Sequence, residues 1–468
     1  MSILMEQHAA DIKTIQEKMR VFYSEKKKIR IYHGSSHSTR LSHFDQDHFI
    51  DVSHLSRVIS INAEEKYAVV EPNVSMESFV EETLKYHLMP AVVTELPGIT
   101  VGGAVQGGTI ESSSFRFGEF SNLCFEYEII LATGEKIIAT QEENADLFVG
   151  LPCSYGTLGV LTLLKVKLIP VKKFVRLRYF KINGFSDAIE TIRQHITMGA
   201  NLFIDGIMLS KNSGVIMVGN FSEEENLPIK TFLQSKDEWF YSDAKKLLKS
   251  KNTWEVLIPV KDYLFRYDRG TFWMGEYIIR HMKIPFCYWT RSFFSAVMTS
   301  RATYHLLNVS QVAQRGVIQD VLVPAEKVEA FLNYIEEHLN IYPVWLCPIK
   351  ENREVKLSPA ALIQDLIIDV GVWGKIKGNY SNYLMINKNL EKVIHKLQGR
   401  KMLYAHAYYT PEEFWQIYDE KWYRDLREKY QAAATFPDIY EKVVVKDTYN
   451  VSIFKGIIEL VKMIFGGK

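Results

Sequence analysis

Cysteine is scarce in this protein, and none of it is paired in sequence. The four cysteines in 468 residues, Cys124, Cys153, Cys287 and Cys347, lie far apart and form no C-x-x-C motif. That spacing argues against a zinc site or a disulfide framework and fits a reducing compartment; no metal ligand set is expected. No G-x-x-x-x-G-K-[ST] run occurs, so P-loop ATP chemistry is unsupported. The glycine-rich part of the sequence also lacks the G-x-G-x-x-G spacing of a Rossmann turn. Excess charge is missing too: 56 Lys and Arg against 55 Asp and Glu leave a net +1, which gives no basis for nucleic-acid binding. No uninterrupted apolar run is long enough to span a bilayer. The first thirty residues are polar and charged, unlike a secretory signal. Together these absences predict a cytoplasmic protein, soluble or peripheral on a membrane, without internal repeats or low-complexity tracts.

What is present is a sequence of ordinary globular composition, 47% hydrophobic and 24% charged, long enough for two or three domains. It is organised around Pro97 to Ser114, which holds five glycines and five hydroxyl side chains. Glycine lets the backbone turn through positive φ and approach a ligand closely. Consecutive N–H groups in such a turn can form a concave nest for anionic oxygens, and the hydroxyls add donors. The alternative use of such a segment is a plain surface loop between the strands 89–96 and 123–132.

Taken in order, 1–24 has the three-to-four apolar spacing of a helix. A short strand at 29–32 leads into a hydroxyl-rich glycine turn, Gly34 to Ser38, with Arg40 close behind as a phosphate clamp or a surface arginine. Strands follow at 49–52, 58–62 and 67–72, with Ser75 set to cap a helix from Met76. Beyond the central stretch a hairpin turns at Thr133-Gly134. A third glycine turn, Gly156 to Gly159, enters the strand 160–168, and Pro170 closes this first α+β unit. From about 175 strands alternate with helices expected at 185–199, 222–235, 325–340, 380–398 and 411–430. Aromatic residues concentrate between 239 and 277, suited to an apolar slot or to plain core packing. The last residues form a wide apolar arc with Lys455, Glu459 and Lys462 opposite. Two uses stay open for it: a helix docked on the protein's own core, or one lying in a membrane interface.

The order of these motifs resembles the FAD-binding domain of the vanillyl-alcohol-oxidase (PCMH) type. More narrowly, the sequence is similar to the Δ24-sterol reductase (seladin/diminuto) family. The likeness rests on Val70-Glu71-Pro72, Thr100-Val101-Gly102-Gly103, Ile110 to Ser114, Asp146-Leu147-Phe148 and Gly156-Thr157-Leu158-Gly159. It continues through Ile169-Pro170, Phe272-Trp273, Gln319-Asp320, Leu322-Val323-Pro324, Trp345 to Pro348, Leu403-Tyr404-Ala405, Glu412 to Trp415 and Phe436-Pro437, so it covers about 28 to 442. The glycine motifs alone indicate a flavoprotein; the later ones carry the narrower family. Three departures stand out. The membrane segment that family members carry at the N-terminus is not found, so the C-terminal helix is expected to replace it. Gly107-Gly108-Thr109 ends in threonine where the family keeps glycine, and position 406 is histidine where an acidic residue is expected. In addition, Gly34-Ser35-Ser36-His37-Ser38 is similar to the turn of aldonolactone and alditol oxidases, in which the histidine is joined covalently to the flavin. A histidine that only hydrogen-bonds within the turn is the other reading.

The resemblance implies an α+β fold: an N-terminal helix (1–24), a two-part FAD-binding domain (25–173), an α+β substrate domain returning to it (174–445), and the amphipathic helix (449–468). It implies an FAD-dependent reductase of a carbon–carbon double bond in the tail of a sterol or related isoprenoid lipid, with NADPH as hydride source. The FAD contacts it implies are Gly34, Ser35, Ser36, His37 and Ser38; Thr100, Val101, Gly102, Gly103, Gly107, Gly108, Thr109, Ile110, Glu111 and Ser112; and Gly156, Thr157, Gly159 and Val160. Tyr404, His406 and Glu111 are the candidates for the proton donor. Two other classes remain: an alcohol, polyol or lactone oxidase with His37-linked flavin and O2 as acceptor, and a flavin-free membrane-associated scaffold.

Overall fold

The computed structural model describes residues 3–34, 38–41, 47–248, 253–362 and 364–465. Its strands fall into three sheets. β1 (Arg30–Tyr32) and β2 (Phe49–Asp51) pair in parallel, Arg30 opposite Phe49. The second sheet holds β3 (Val58–Asn62), β4 (Tyr67–Val70), β5 (Leu88–Pro90), β6 (Cys124–Ile130), β7 (Lys136–Ala139) and β8 (Val160–Pro170), ordered β3-β4-β8-β6-β7 with β5 on β8. The third, antiparallel throughout, holds β9 (Phe174–Ile182), β10 (Phe203–Ser210), β11 (Ser213–Ser222), β12 (Thr253–Pro259), β13 (Gly316–Pro324), β14 (Val344–Ile349), β15 (Ile367–Lys375) and β16 (Arg400–Lys401). Its order is β12-β9-β11-β10-β14-β15-β13-β16. The second sheet therefore ends at Pro170 and the third begins at Phe174, with only Val171 to Lys173 between them. The result is the mixed α+β architecture expected from the motifs.

Burial follows from the strand patterns. Most of β8 and nearly all of β15 are apolar and covered on both faces, as central strands require. One continuous core joins the two large sheets, from Val70 and Leu164 to Tyr263, Trp273 and Trp345. A second lies between the third sheet and the helices Phe185–Thr197, Ala325–Tyr334 and Tyr380–Lys396. The N-terminal helix, Ile3–Ser24, buries Ile12, Ile15 and Met19 against β2 and the ends of β6 and β8. His8 of that helix sits between two buried carboxylates, Nδ1 2.8 Å from Glu71 and Nε2 3.0 Å from Glu128. Burial alone lowers its pKa, but the hydrogen bonds to Glu128 and Glu71 win and raise it to about 9.

Several local expectations change in three dimensions. No helix forms over 223–238. Pro228 has no N–H to give a helix, and the segment runs beside β12 instead, with Leu257 N–H donating to Pro228 and Lys230 N–H to Leu257. The strand expected at 89–96 shortens to Leu88–Pro90. The helix expected over 411–430 breaks after Ile417, and Asp419 caps a new one, Glu420–Lys429. That second helix returns to the first half of the protein. Arg427 donates to Thr157, Phe436 and Pro437 carbonyls, and the Tyr423 hydroxyl donates to Thr157 Oγ1 at 2.9 Å.

The C-terminal helix, Ile453–Phe465, docks on the helix Ser300–Ser310. Gly456 lies against Ser310, where a Cβ would come within 3.0 Å of the serine Cβ; Leu460 is buried, and Glu459 meets His305 at 3.0 Å. Its other side leaves Ile453, Phe454 (71% exposed), Ile457, Ile458 and Val461 in solvent. Among the described residues no helix is long and apolar enough to cross a membrane.

Candidate functional site

A cavity of about 980 Å³ opens where the two large sheets meet. Its walls come from β1 and the turn after it, the central glycine stretch, β13 and β15, the helix Ser300–Ser310, and residues 441–450. Every glycine turn singled out in the sequence contributes to its wall or abuts it.

The central stretch is a helix where a loop was expected. Thr100 caps Val101–Gly107, its hydroxyl accepting from Gly103 N–H at 3.1 Å. Val101 N–H donates to Val74, Gly102 N–H to Pro72 at 2.7 Å, and Ala104 N–H to Thr100. These amides are thus committed to the protein, and the expected row of free N–H groups is not formed. What the glycines provide is closeness. A Cβ on Gly102 would lie 2.6 Å from Pro72 Cβ, whereas Gly107 faces open space, with nothing within 4 Å. The turn before β8 clamps the far end of this helix through Cys153 N–H to Val105, Tyr155 N–H to Gln106, and the Tyr155 hydroxyl to Gly107 at 3.0 Å.

Of the residues proposed from sequence for the cofactor, Ser38, Thr100, Gly102, Gly103, Gly107, Gly108, Thr109, Ile110 and Gly156 line the cavity. Gly34, in the left-handed region at φ +83°, sits beside it. Val101, Glu111, Ser112, Thr157, Gly159 and Val160 do not line it. Gly159 is held by packing, since a Cβ there would meet Ile129 at 2.6 Å, and Thr157 serves the Tyr423 contact. Ser112 meets the Tyr263 hydroxyl at 3.0 Å. Ser35, Ser36 and His37 lie outside the described residues.

One side of the cavity is cationic. Arg30, His33, Arg40 and Lys442 line it. Arg40 ties the turn after β1 to the substrate-side loop, donating to the Leu403 carbonyl and, at 2.9 Å, to Ala405. Lys442 has no carboxylate partner among the described residues. Burial, then the charges of Arg30 and Arg40, lower its pKa to about 7. His33 Nδ1 is buried without a partner, and burial plus the Lys442 charge lower its pKa as well. Arg30, Arg40 and Lys442 line the cavity without an ion pair among the described residues, and make a site for an anionic group such as a diphosphate.

Another part of the lining is aromatic with carboxyls set into it. Phe272, Trp345, Trp373, Leu307 and Met402 supply apolar surface, and Glu95, Tyr304, Asp320 and Tyr404 supply polar atoms. The Tyr404 hydroxyl donates to Asp320 Oδ2 at 2.8 Å, and the Trp373 indole lies beside the same buried carboxylate. Burial drives the Asp320 pKa up to about 7 against the pull of the Tyr404 bond. Glu95 rises to about 8, from burial first and the Glu111 charge second.

The two other proton-donor candidates sit away from the cavity. Glu111 is in a buried network, 3.1 Å from Arg266, which also holds Asp205 at 3.0 Å. His406 is buried between the Tyr383 hydroxyl (3.3 Å) and the Tyr449 hydroxyl (3.0 Å). Burial, Arg40 and Lys401 lower its pKa to about 3, so it is neutral near pH 7. Sequence reasoning did not select Asp320, Glu95, Arg30 or Lys442. Asp320 carried a signal, a carboxylate beside Gln319 in the mostly apolar run Val317 to Val323; Lys442, in a short charged helix, carried none.

A helix-backed glycine segment, a cationic wall and a strand-and-helix frame ahead of a second, antiparallel sheet define an FAD-binding protein, and the family model described as an FAD binding domain matches residues 7–140. The Delta(24)-sterol reductase of Rattus norvegicus is 30% identical over 415 residues, 87% of this chain and 80% of that protein. The Arabidopsis thaliana enzyme of the same name is 30% identical over 443 residues, 86% of this chain and 77% of its own. The Homo sapiens one is 29% identical across 93% of this chain and 86% of its own. A cytokinin dehydrogenase of Oryza sativa matches only 36% of the protein, at 28% identity. The protein belongs to the Delta(24)-sterol reductase family, and so to the FAD-dependent oxidoreductases.

Proposed function

We propose that this protein reduces a carbon–carbon double bond in the tail of a sterol or related isoprenoid lipid, using FAD and with NADPH as the source of hydride. The observation that carries the reading is a cavity lined both by cations (Arg30, Arg40 and Lys442) and by aromatic rings (Phe272, Trp345 and Trp373). A dinucleotide diphosphate suits the first and a flat apolar substrate the second. Family membership favours the reductase over the oxidase.

Residues 25–173 are the FAD-binding unit in this reading, and 174–445 the substrate unit with its return. Lys442, Arg30 and His33 hold the diphosphate, and Thr100, Gly103, Gly107 and Gly156 let the cofactor approach the backbone. Bound FAD supplies hydride transfer, the chemistry no side chain offers. Phe272, Trp345 and Trp373 position the apolar substrate and exclude water. Tyr404 is the proton-donor candidate that lines the cavity, whereas Glu111 and His406 support the fold around it. The exposed apolar face of the helix Ile453–Phe465 contacts a lipid bilayer. Continuity supports that occupant: the helix Ser300–Ser310 beneath it lines the cavity with Thr303, Tyr304 and Leu307, and Lys455 and Lys462 are exposed beside the apolar residues.

The test is anaerobic. NADPH is expected to bleach the flavin absorbance, and a sterol carrying an alkene in its tail to restore it with formation of the saturated product. Oxygen consumption with an alcohol or polyol and no NADPH requirement would support the oxidase alternative instead. Acid precipitation separates the two states of the flavin: yellow supernatant means non-covalent FAD, whereas colour kept in the pellet and lost in His37→Ala means a covalent link. A colourless protein that added FAD does not restore would leave the scaffold reading.

A further inference from the structure

Reducing an alkene needs a hydride on one carbon and a proton on the other, and the proton has to come from a group at the cavity wall. Tyr404 is placed there, but its hydroxyl has one proton and spends it on Asp320 Oδ2. While Asp320 is ionised, Tyr404 has nothing to give a substrate. When Asp320 is protonated the bond can reverse: the carboxylic acid donates to the phenol oxygen, and the phenol proton is free to face the cavity.

The surroundings favour the protonated state. Asp320 projects from β13, and Met402 N–H donates to its backbone carbonyl at 2.9 Å, which fixes the Tyr404 loop to the strand. Facing it are Glu95 from the segment after β5, Asp369 from β15, Tyr304 from the helix Ser300–Ser310, and Tyr404. Both Asp369 carboxylate oxygens are buried, beside the Val321 backbone. Arg266, the cation that acts on Glu95, is divided between Glu111 and Asp205, and no ion pair reaches Asp320, Glu95 or Asp369 among the described residues. Three carboxyls with no cation of their own cannot all be charged in so dry a place. Burial raises all three, Asp320 to about 7 and Glu95 to about 8.

Resting on the reductase reading, we propose that Asp320 and Tyr404 form a two-residue proton relay for the alkene. Bound FAD, once reduced, would supply the hydride for one alkene carbon. The other takes the Tyr404 hydroxyl proton as Asp320 gives its own proton to the phenol oxygen. The π pair becomes a C–H bond, Asp320 ends as carboxylate, and solvent reprotonates it before the next turnover. Tyr404 touches the substrate; Asp320 is a positioning residue that sets what Tyr404 can give.

The experiment uses the full-length protein reconstituted with FAD and compares wild type, Asp320→Asn and Tyr404→Phe. Flavin reduction by NADPH is followed first, then reoxidation by the sterol alkene between pH 5.5 and 9 (roughly the span of the two raised carboxyl pKa values). The expected result is NADPH reduction within about twofold of wild type in both variants, with reoxidation slowed at least ~100-fold, the range of general-acid effects. Wild-type reoxidation falls as pH rises through the Asp320 pKa, and the fall is lost in Asp320→Asn. A readout apart from turnover is the infrared carbonyl stretch of neutral carboxylic acids at pH 6, which loses one component in Asp320→Asn. Reoxidation of Asp320→Asn at the wild-type rate, or an unchanged infrared band, overturns the relay. If NADPH does not bleach the wild-type flavin, the reductase reading fails instead; with dithionite as reductant the reoxidation arm still judges the relay.

Discussion

Asp320 faces Gly371 across the β13–β15 ladder, and the missing side chain of the glycine is what gives the carboxylate its place. A Cβ at position 371 would lie 2.9 Å from Asp320 Oδ1 and 2.9 Å from the Trp373 ring. Only a glycine fits between them. Gly371→Ala is expected to cost about 1–3 kcal/mol of stability through overpacking. Displacing the carboxylate should also slow alkene reduction roughly tenfold, about 1.4 kcal/mol of barrier, while FAD binding stays unchanged. Stopped-flow reoxidation alongside thermal unfolding checks both parts. Unaltered reoxidation in a destabilised variant would assign the glycine to packing alone.

Lys442 makes FAD affinity depend on pH in a direction that can be stated. In the free protein its pKa is lowered to about 7, and an anionic diphosphate beside it would raise that value again. Binding above neutrality therefore takes up a proton, and affinity should weaken as pH rises past about 7. Lys442→Met should remove this dependence and weaken binding at pH 6 by about tenfold or more, given ~1.5–3 kcal/mol for a charged hydrogen bond. Fluorescence titration of the apoprotein with FAD across pH ~6 to ~8.5, in wild type and variant, measures both. Equal affinity in the variant would place the diphosphate elsewhere.

His8 ties stability to pH at the opposite end of the FAD-binding unit. Its pKa is raised from 6.5 to about 9 by Glu128 and Glu71, against burial. The stabilisation is complete below pH 6.5, decays above it, and is lost once pH passes about 9. A shift of that size corresponds to ~3 kcal/mol. Urea unfolding at pH 6 and pH 9.5 should differ by an amount that vanishes in His8→Gln, with the wild type less stable at the higher pH. A difference that survives the substitution would move the effect to another group.

The apolar face of the last helix is expected to bind vesicles containing anionic phospholipid. Phe454→Glu with Val461→Glu should abolish flotation, because burying the two side chains is worth ~3–6 kcal/mol in all. Both residues point away from the contact with Ser310, so folding is spared. Equal flotation of variant and wild type would leave the helix a purely internal element.

The sequence alone carried the glycine turns at Gly34 and Gly156, the strands between them, and the family motifs of the second half. These signals are local: glycine's conformational range, the alternation of a strand and the spacing of a helix are written in adjacent residues. The same logic failed at 222–235, where an edge contact with β12 overrode the apolar spacing, and at Val101–Gly107, where a Thr100 cap and two long-range carbonyls made a helix of a glycine-rich run. Glu111 and His406 looked reactive by residue type. Folding buried one against Arg266 and the other between two tyrosines.

Only the tertiary structure decided which charges meet. Arg30 and Lys442 are more than four hundred residues apart, and Glu95, Asp320 and Asp369 come from three separate elements. What each of these groups can do depends on the charges and the water around it, and long-range packing sets both. Composition and motif therefore determined that this protein is built to hold a flavin, whereas packing decided which side chains face the reaction and in what protonation state.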